Sequence, residues 1–129
     1  MPMFVAVLIS LFACTTAHAN GQRFSETDIR ERIVGKRIYL AAPFGGEFPL
    51  NYRSGGTVDG SGEALGLGRF AKPRDSGTWW IKGDRLCQKF RTWYRGKPMC
   101  FELYPIGSTR LRWLRNDGKT GTARIGPSL

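Results

Sequence analysis

From Lys36 onward, short runs of alternating apolar and polar residues are separated by glycine-rich turns at intervals of about eight to twelve residues, the spacing of an antiparallel all-β domain. Strands are expected near Arg37 to Ala42, Phe48 to Arg53, Thr57 to Asp59, Ala64 to Phe70, Gly77 to Ile81, Arg85 to Trp93, Met99 to Ile106, Thr109 to Arg115 and Thr120 to Ile125. Lys82-Gly83-Asp84, Ile106-Gly107-Ser108 and Asn116-Asp117-Gly118 supply residues that tolerate positive φ, so tight hairpins are predicted at all three. Lys72 to Ser76, with Pro73, reads as a longer irregular loop. Before the strands, Ser25-Glu26-Thr27-Asp28 has the form of a capping box. It opens a short helix over Glu26 to Val34 that Gly35 ends, with Ile29 and Ile33 on the face turned to the sheet as a plug or flank.

The fold class expected is mainly β, an antiparallel meander or small β-barrel with one short N-terminal helix and one disulfide. Residues 1–19 read as a signal peptide and 20–129 as a single domain. Phe4 to Ala13 is an apolar run, followed by the small-x-small triplet Ala17-His18-Ala19. Such a run is shorter than the roughly 20 residues a membrane-spanning helix needs, so no transmembrane span is expected. The segment before the run has no Lys or Arg, which leaves an upstream start or an uncleaved anchor open, and Cys14 only loosely resembles a lipoprotein acylation site.

Export leaves Cys87 and Cys100 as the two cysteines of the mature chain. If they face each other across an antiparallel pair, Arg85 stands against Glu102 and Leu86 against Phe101, an ion pair and an apolar pair on opposite faces of one hairpin. A disulfide there implies an oxidising compartment, periplasmic or secreted. Extending the register sends Leu86, Phe90, Phe101, Leu103, Leu111 and Trp113 to the core. It sends Arg85, Cys87, Lys89, Arg91, Cys100, Glu102, Tyr104, Arg110 and Arg112 to the outer face. The adjacent Trp79 and Trp80 must point to opposite faces; Trp79 is assigned inward with Ile81, and Trp80 outward.

Charge gives that outer face a candidate role. The chain has a net charge of +10, and residues 82–124 carry eleven of the twenty basic residues against Asp84, Glu102 and Asp117. Such a field attracts anionic polysaccharide, lipopolysaccharide and lipid headgroups, with nucleic acid ranked lower, although a basic row on a sheet is in most proteins simply solvated. The expected ligand-binding residues are Arg85, Lys89, Arg91, Arg110 and Arg112, whose guanidinium forks suit phosphate and carboxylate, with Tyr104, Trp80, Trp93 and Tyr94 able to stack on sugars.

Catalysis has little to work with. The single histidine, His18, lies in the signal segment, so the mature domain has no Ser-His-Asp or Cys-His arrangement and no His-containing zinc site. No cofactor and no metal is expected. Asp59 and Glu63 are the one pair of acids considered for carboxylate chemistry, in a glycine-rich stretch that more plainly serves turns and bulges.

Gly77-Thr78-Trp79-Trp80-Ile81-Lys82-Gly83-Asp84-Arg85-Leu86-Cys87, followed by Cys100 and then Asp117-Gly118, resembles the pattern of a family of small exported proteobacterial proteins of unknown function. The resemblance spans about Ser25 to Ile125 and implies periplasmic residence without an assigned activity. A weaker likeness is to the periplasmic metalloprotease inhibitors, small β-barrels with a similar Gly, Trp, Gly-Asp and Cys run, although Asn20-Gly21-Gln22-Arg23 departs from their inhibitory tail. The expected function is therefore non-catalytic binding at the envelope through the basic face. A protein-binding module, such as a protease inhibitor or assembly factor, is the alternative.

Overall fold

The computed structural model describes Pro2 and residues 22–43, 45–62 and 74–129. The signal segment, Cys14, Glu63, the strand expected over 64–70, and Lys72 and Pro73 lie outside the described residues. Among the described residues one α-helix, α1 (Glu26–Arg32), precedes eight strands: β1 (Lys36–Ala41), β2 (Glu47–Tyr52), β3 (Thr57–Ser61), β4 (Arg74–Lys82), β5 (Arg85–Phe90), β6 (Met99–Ile106), β7 (Arg110–Arg115) and β8 (Thr120–Ser128). Each strand pairs antiparallel with the next, and β8 returns to β1, so the meander closes into a barrel with no free edge.

The hairpin turns follow the expected chemistry. Gly83, Gly107 and Gly118 adopt φ of 60°, 63° and 89°, where a side chain would be strained. The start of β4 and the end of β5 differ from the sequence reading for one reason. Arg74 to Ser76 belong to β4 and pair with Ser61, Gly60 and Asp59 of β3, where an irregular loop was expected. The Asp75 carboxylate then accepts from the amides of Thr92 and Trp93, both at 2.8 Å, and this turns the chain out of β5 after Phe90, three residues before the expected end. Burial pushes the Asp75 carboxyl up, but these amides, with those of Ser76 and the Thr92 hydroxyl, outweigh it and hold it below the usual range.

The helix starts as the capping box requires. Asp28 N–H donates to Ser25 Oγ at 3.2 Å, and Ser25 N–H donates to Asp28 Oδ2 at 2.9 Å. It ends at Arg32, two residues early, because Ile33 takes the C-cap and Gly35 at φ 76° reverses the chain into β1. The helix covers one end of the barrel. Glu26 N–H donates to Asp84 in the β4–β5 turn, Arg32 donates to the Ser108 carbonyl in the β6–β7 turn, and Phe24 N–H donates to the Leu103 carbonyl. Ile29 and Ile33 are driven into the core beneath it, which Phe90, Leu50, Val58, Leu103 and Leu111 complete. The β1–β2, β5–β6 and β7–β8 connections lie at the opposite end.

Candidate functional site

The disulfide hairpin has the expected register: Cys87 faces Cys100 with their Cα atoms 4.0 Å apart, and Leu86 faces Phe101. Arg85 Nη2 reaches Glu102 Oε1 at 3.4 Å. Trp79 is buried and Trp80 is exposed, directly opposite Cys87 on the outer wall. Cys87 itself is fully buried although its side chain points outward.

On the outer wall, the expected basic residues divide into two groups. Arg85, Tyr104, Arg112 and Arg110 lie together on β5, β6 and β7, with Tyr104 opposite Arg112 and Ile106 opposite Arg110. Lys89 sits farther along β5, opposite Thr78 of β4. Arg91 lies past the strand end, in a shallow polar groove with Arg37, Asn51 and Asp59. The first group is also partly neutralised. Glu102 accepts from Tyr104 OH at 3.0 Å and from Arg23 at 2.9 Å, and these donors with the Arg85 charge hold its carboxyl below the usual range against the opposing effect of desolvation. The Tyr104 ring is covered by the Arg112 guanidinium, 4.6 Å from the ring centre.

The β7–β8 neighbour extends the group beyond the sequence expectation. Arg110 stands directly opposite Arg124. Arg124 forks onto Glu47 at 2.9 and 3.0 Å and covers the Tyr39 ring at 4.2 Å. The hydrogen bonds from Arg124, with the charges of Arg124 and Arg110, hold the Glu47 carboxyl low. Among the described residues, Arg110 has no carboxylate within salt-bridge distance.

Asp59, considered for carboxylate chemistry, is held by the Arg53 guanidinium at 2.6 Å and by Asn51 at 2.9 Å, both of which lower its pKa. No group of three or more metal-ligating side chains occurs among the described residues, and no helix among them is long and apolar enough to cross a membrane. Trp93 packs between the rings of Phe48 and Phe90 and over Gly60, so its ring is part of the barrel wall.

The interior holds polar groups that the charge-led reading passed over. Tyr52 OH donates to Gln88 Oε1 at 2.6 Å, with both residues buried. Arg115 also points inward, with its side chain 11 % exposed, and forks onto Asp117 through Nη2 at 2.6 Å and Nε at 2.8 Å. The alternation did carry the signal, since Gln88 lies between Leu86 and Phe90 and Arg115 follows Leu111 and Trp113 at the same two-residue step. Neither family models, curated proteins nor solved structures match this chain.

Proposed function

We propose that the protein is a non-catalytic binding protein of the cell envelope, periplasmic or secreted, that holds an anionic polysaccharide, lipopolysaccharide or lipid headgroup on the outer wall of β6, β7 and β8. The observation that carries this reading is the Arg110–Arg124 pair, two like charges directly opposite on neighbouring strands, with the nearby acid Glu47 taken by Arg124. Like charges so placed cost stability unless an anion lies over them. Arg112, one step along β7 and stacked on Tyr104, adds a third guanidinium whose remaining donors face solvent. The closed barrel and its cross-strand disulfide support the reading by holding these groups on rigid strands in a form suited to an oxidising compartment.

Within this reading Arg110, Arg112 and Arg124 make the principal contacts, Arg85 acts through its network with Glu102, and Lys89 and Arg91 contribute only to the long-range field. The test is co-sedimentation of the purified, oxidised protein with lipopolysaccharide, with an acidic polysaccharide and with phosphatidylglycerol vesicles at two salt concentrations. Binding selective for one of them, weakened by salt and cut at least tenfold by Arg110→Glu with Arg112→Glu, is expected. Binding that survives those reversals, or none to any of the three, refutes it.

A further inference from the structure

The barrel interior is not completely filled with side chains. A cavity of about 50 Å³ runs from Ile33 beneath the helix to Tyr94 and Arg115 at the mouth, walled by Ile38, Leu103, Leu111 and Trp113. That space takes roughly three or four water-sized spheres, and an eight-stranded barrel is wide enough to hold one small ligand. The Tyr52–Gln88 hydrogen bond satisfies the Tyr52 hydroxyl within the wall. Two other donors are less well served. Among the described residues, Trp113 Nε1 is buried with no acceptor, and Arg115 Nη1 finds only the Met99 thioether at 3.6 Å, a weak acceptor. A buried donor left without an oxygen acceptor is costly, so the unmet demand of the wall is for an acceptor.

The mouth carries a second, independent feature. Tyr94 and Arg95 both adopt φ of 57°, and Gly96 follows at 66°. Two consecutive non-glycine residues in the left-handed region store strain, which concentrates where a segment serves a ligand. Tyr94 is half exposed, borders the cavity, and lies with its ring under the Arg115 guanidinium at 5.6 Å. It stands between the cavity and solvent.

We infer that the barrel interior is a binding site for a small amphipathic monocarboxylate. Its apolar body occupies the cavity between Leu103, Leu111 and Ile38, its carboxylate accepts from Arg115 Nη1 and Trp113 Nε1, and Tyr94 moves aside to admit it. An anion suits these donors better than a neutral oxygen, because hydrogen bonds to a charged acceptor are about twice as strong. The site is separate from the outer wall and does not depend on the envelope-polymer reading.

The probe is butyrate, whose three-carbon body matches the cavity, with butanol as its neutral match, titrated into the purified, oxidised ¹⁵N-labelled protein. The readout is the Trp113 indole Nε1–H resonance, identified as the one missing in Trp113→Phe. Saturable displacement of that resonance by butyrate is expected, with butanol binding at least fivefold weaker. Trp113→Phe and Arg115→Met should each weaken butyrate about five- to tenfold, followed for Trp113→Phe by calorimetry. Ala123→Leu, which fills the cavity from β8, should abolish binding if its near-ultraviolet circular dichroism stays native, and the two polar-site variants test the site if it does not. No saturable shift overturns the inference. So does butyrate binding that is undiminished in both polar-site variants, or that is lost instead with Arg110→Glu and Arg112→Glu, which would put the carboxylate on the outer wall.

Discussion

Tyr52 on β2 and Gln88 on β5 belong to strands that are not neighbours in the barrel, yet the Tyr52 hydroxyl reaches Gln88 Oε1 at 2.6 Å through the interior. The bond ties opposite walls together where every ladder hydrogen bond links only adjacent strands. Tyr52→Phe leaves Gln88 without that donor in a buried site and should destabilise the protein by about 1–3 kcal/mol in urea unfolding. Replacing both, with Tyr52→Phe and Gln88→Leu, should recover much of the loss. Burial, with a smaller contribution from Tyr94, raises the Tyr52 pKa above its ordinary 10.0. The folded state therefore keeps the phenol neutral after the unfolded chain has begun to ionise. The stability it contributes is fully present below pH 10.0 and is lost as pH rises above it, a slope that Tyr52→Phe should lack.

The Cys87–Cys100 bond closes a loop of sequence separation 13. In the chain-entropy account a crosslink of this span stabilises by about 3 kcal/mol. Cys87→Ser with Cys100→Ser should lower the urea midpoint accordingly while leaving the far-ultraviolet circular dichroism of the barrel in place. An unchanged midpoint would assign strand pairing in this hairpin to the surrounding core alone.

Asp117 sits at the β7–β8 turn and takes both arms of Arg115, which, with the Lys119 amide, holds its carboxyl down at about 2 against the desolvation that acts to raise it. Its folded pKa is below the unfolded value of 3.8. The contribution is thus present above pH 3.8 and is lost as pH falls toward 2. Asp117→Asn should flatten that part of the acid-unfolding curve. The same change loosens Arg115 at the barrel mouth, which should broaden the Tyr94 ring resonances.

Much of the outer architecture was legible in local pattern. A two-residue alternation is a property of each strand by itself, so it assigned Leu86, Phe90, Leu103 and Leu111 inward and separated Trp79 from Trp80. The hairpin register followed from two cysteines that had to meet across a short connection. The capping box and the Ile29–Ile33 face are likewise contained within one helix. Composition was a poorer guide to the site. Arg85, Lys89 and Arg91 share a face on paper, yet Lys89 sits farther along β5 opposite Thr78 and Arg91 borders a groove formed with β1 and β2.

The sequence by itself determined the helix, the turn positions, the core faces and the disulfide hairpin, because each depends on residues close in the chain or on a covalent bond between two defined partners. Only the tertiary structure decided that β8 pairs with β1, since closure depends on the accumulated twist and stagger of all eight strands. Closure in turn set Arg124 beside Arg110, joined Tyr52 to Gln88 and enclosed Trp113 and Arg115 around a cavity. These relationships link residues brought together by the curvature of the whole sheet, a property that no single strand encodes.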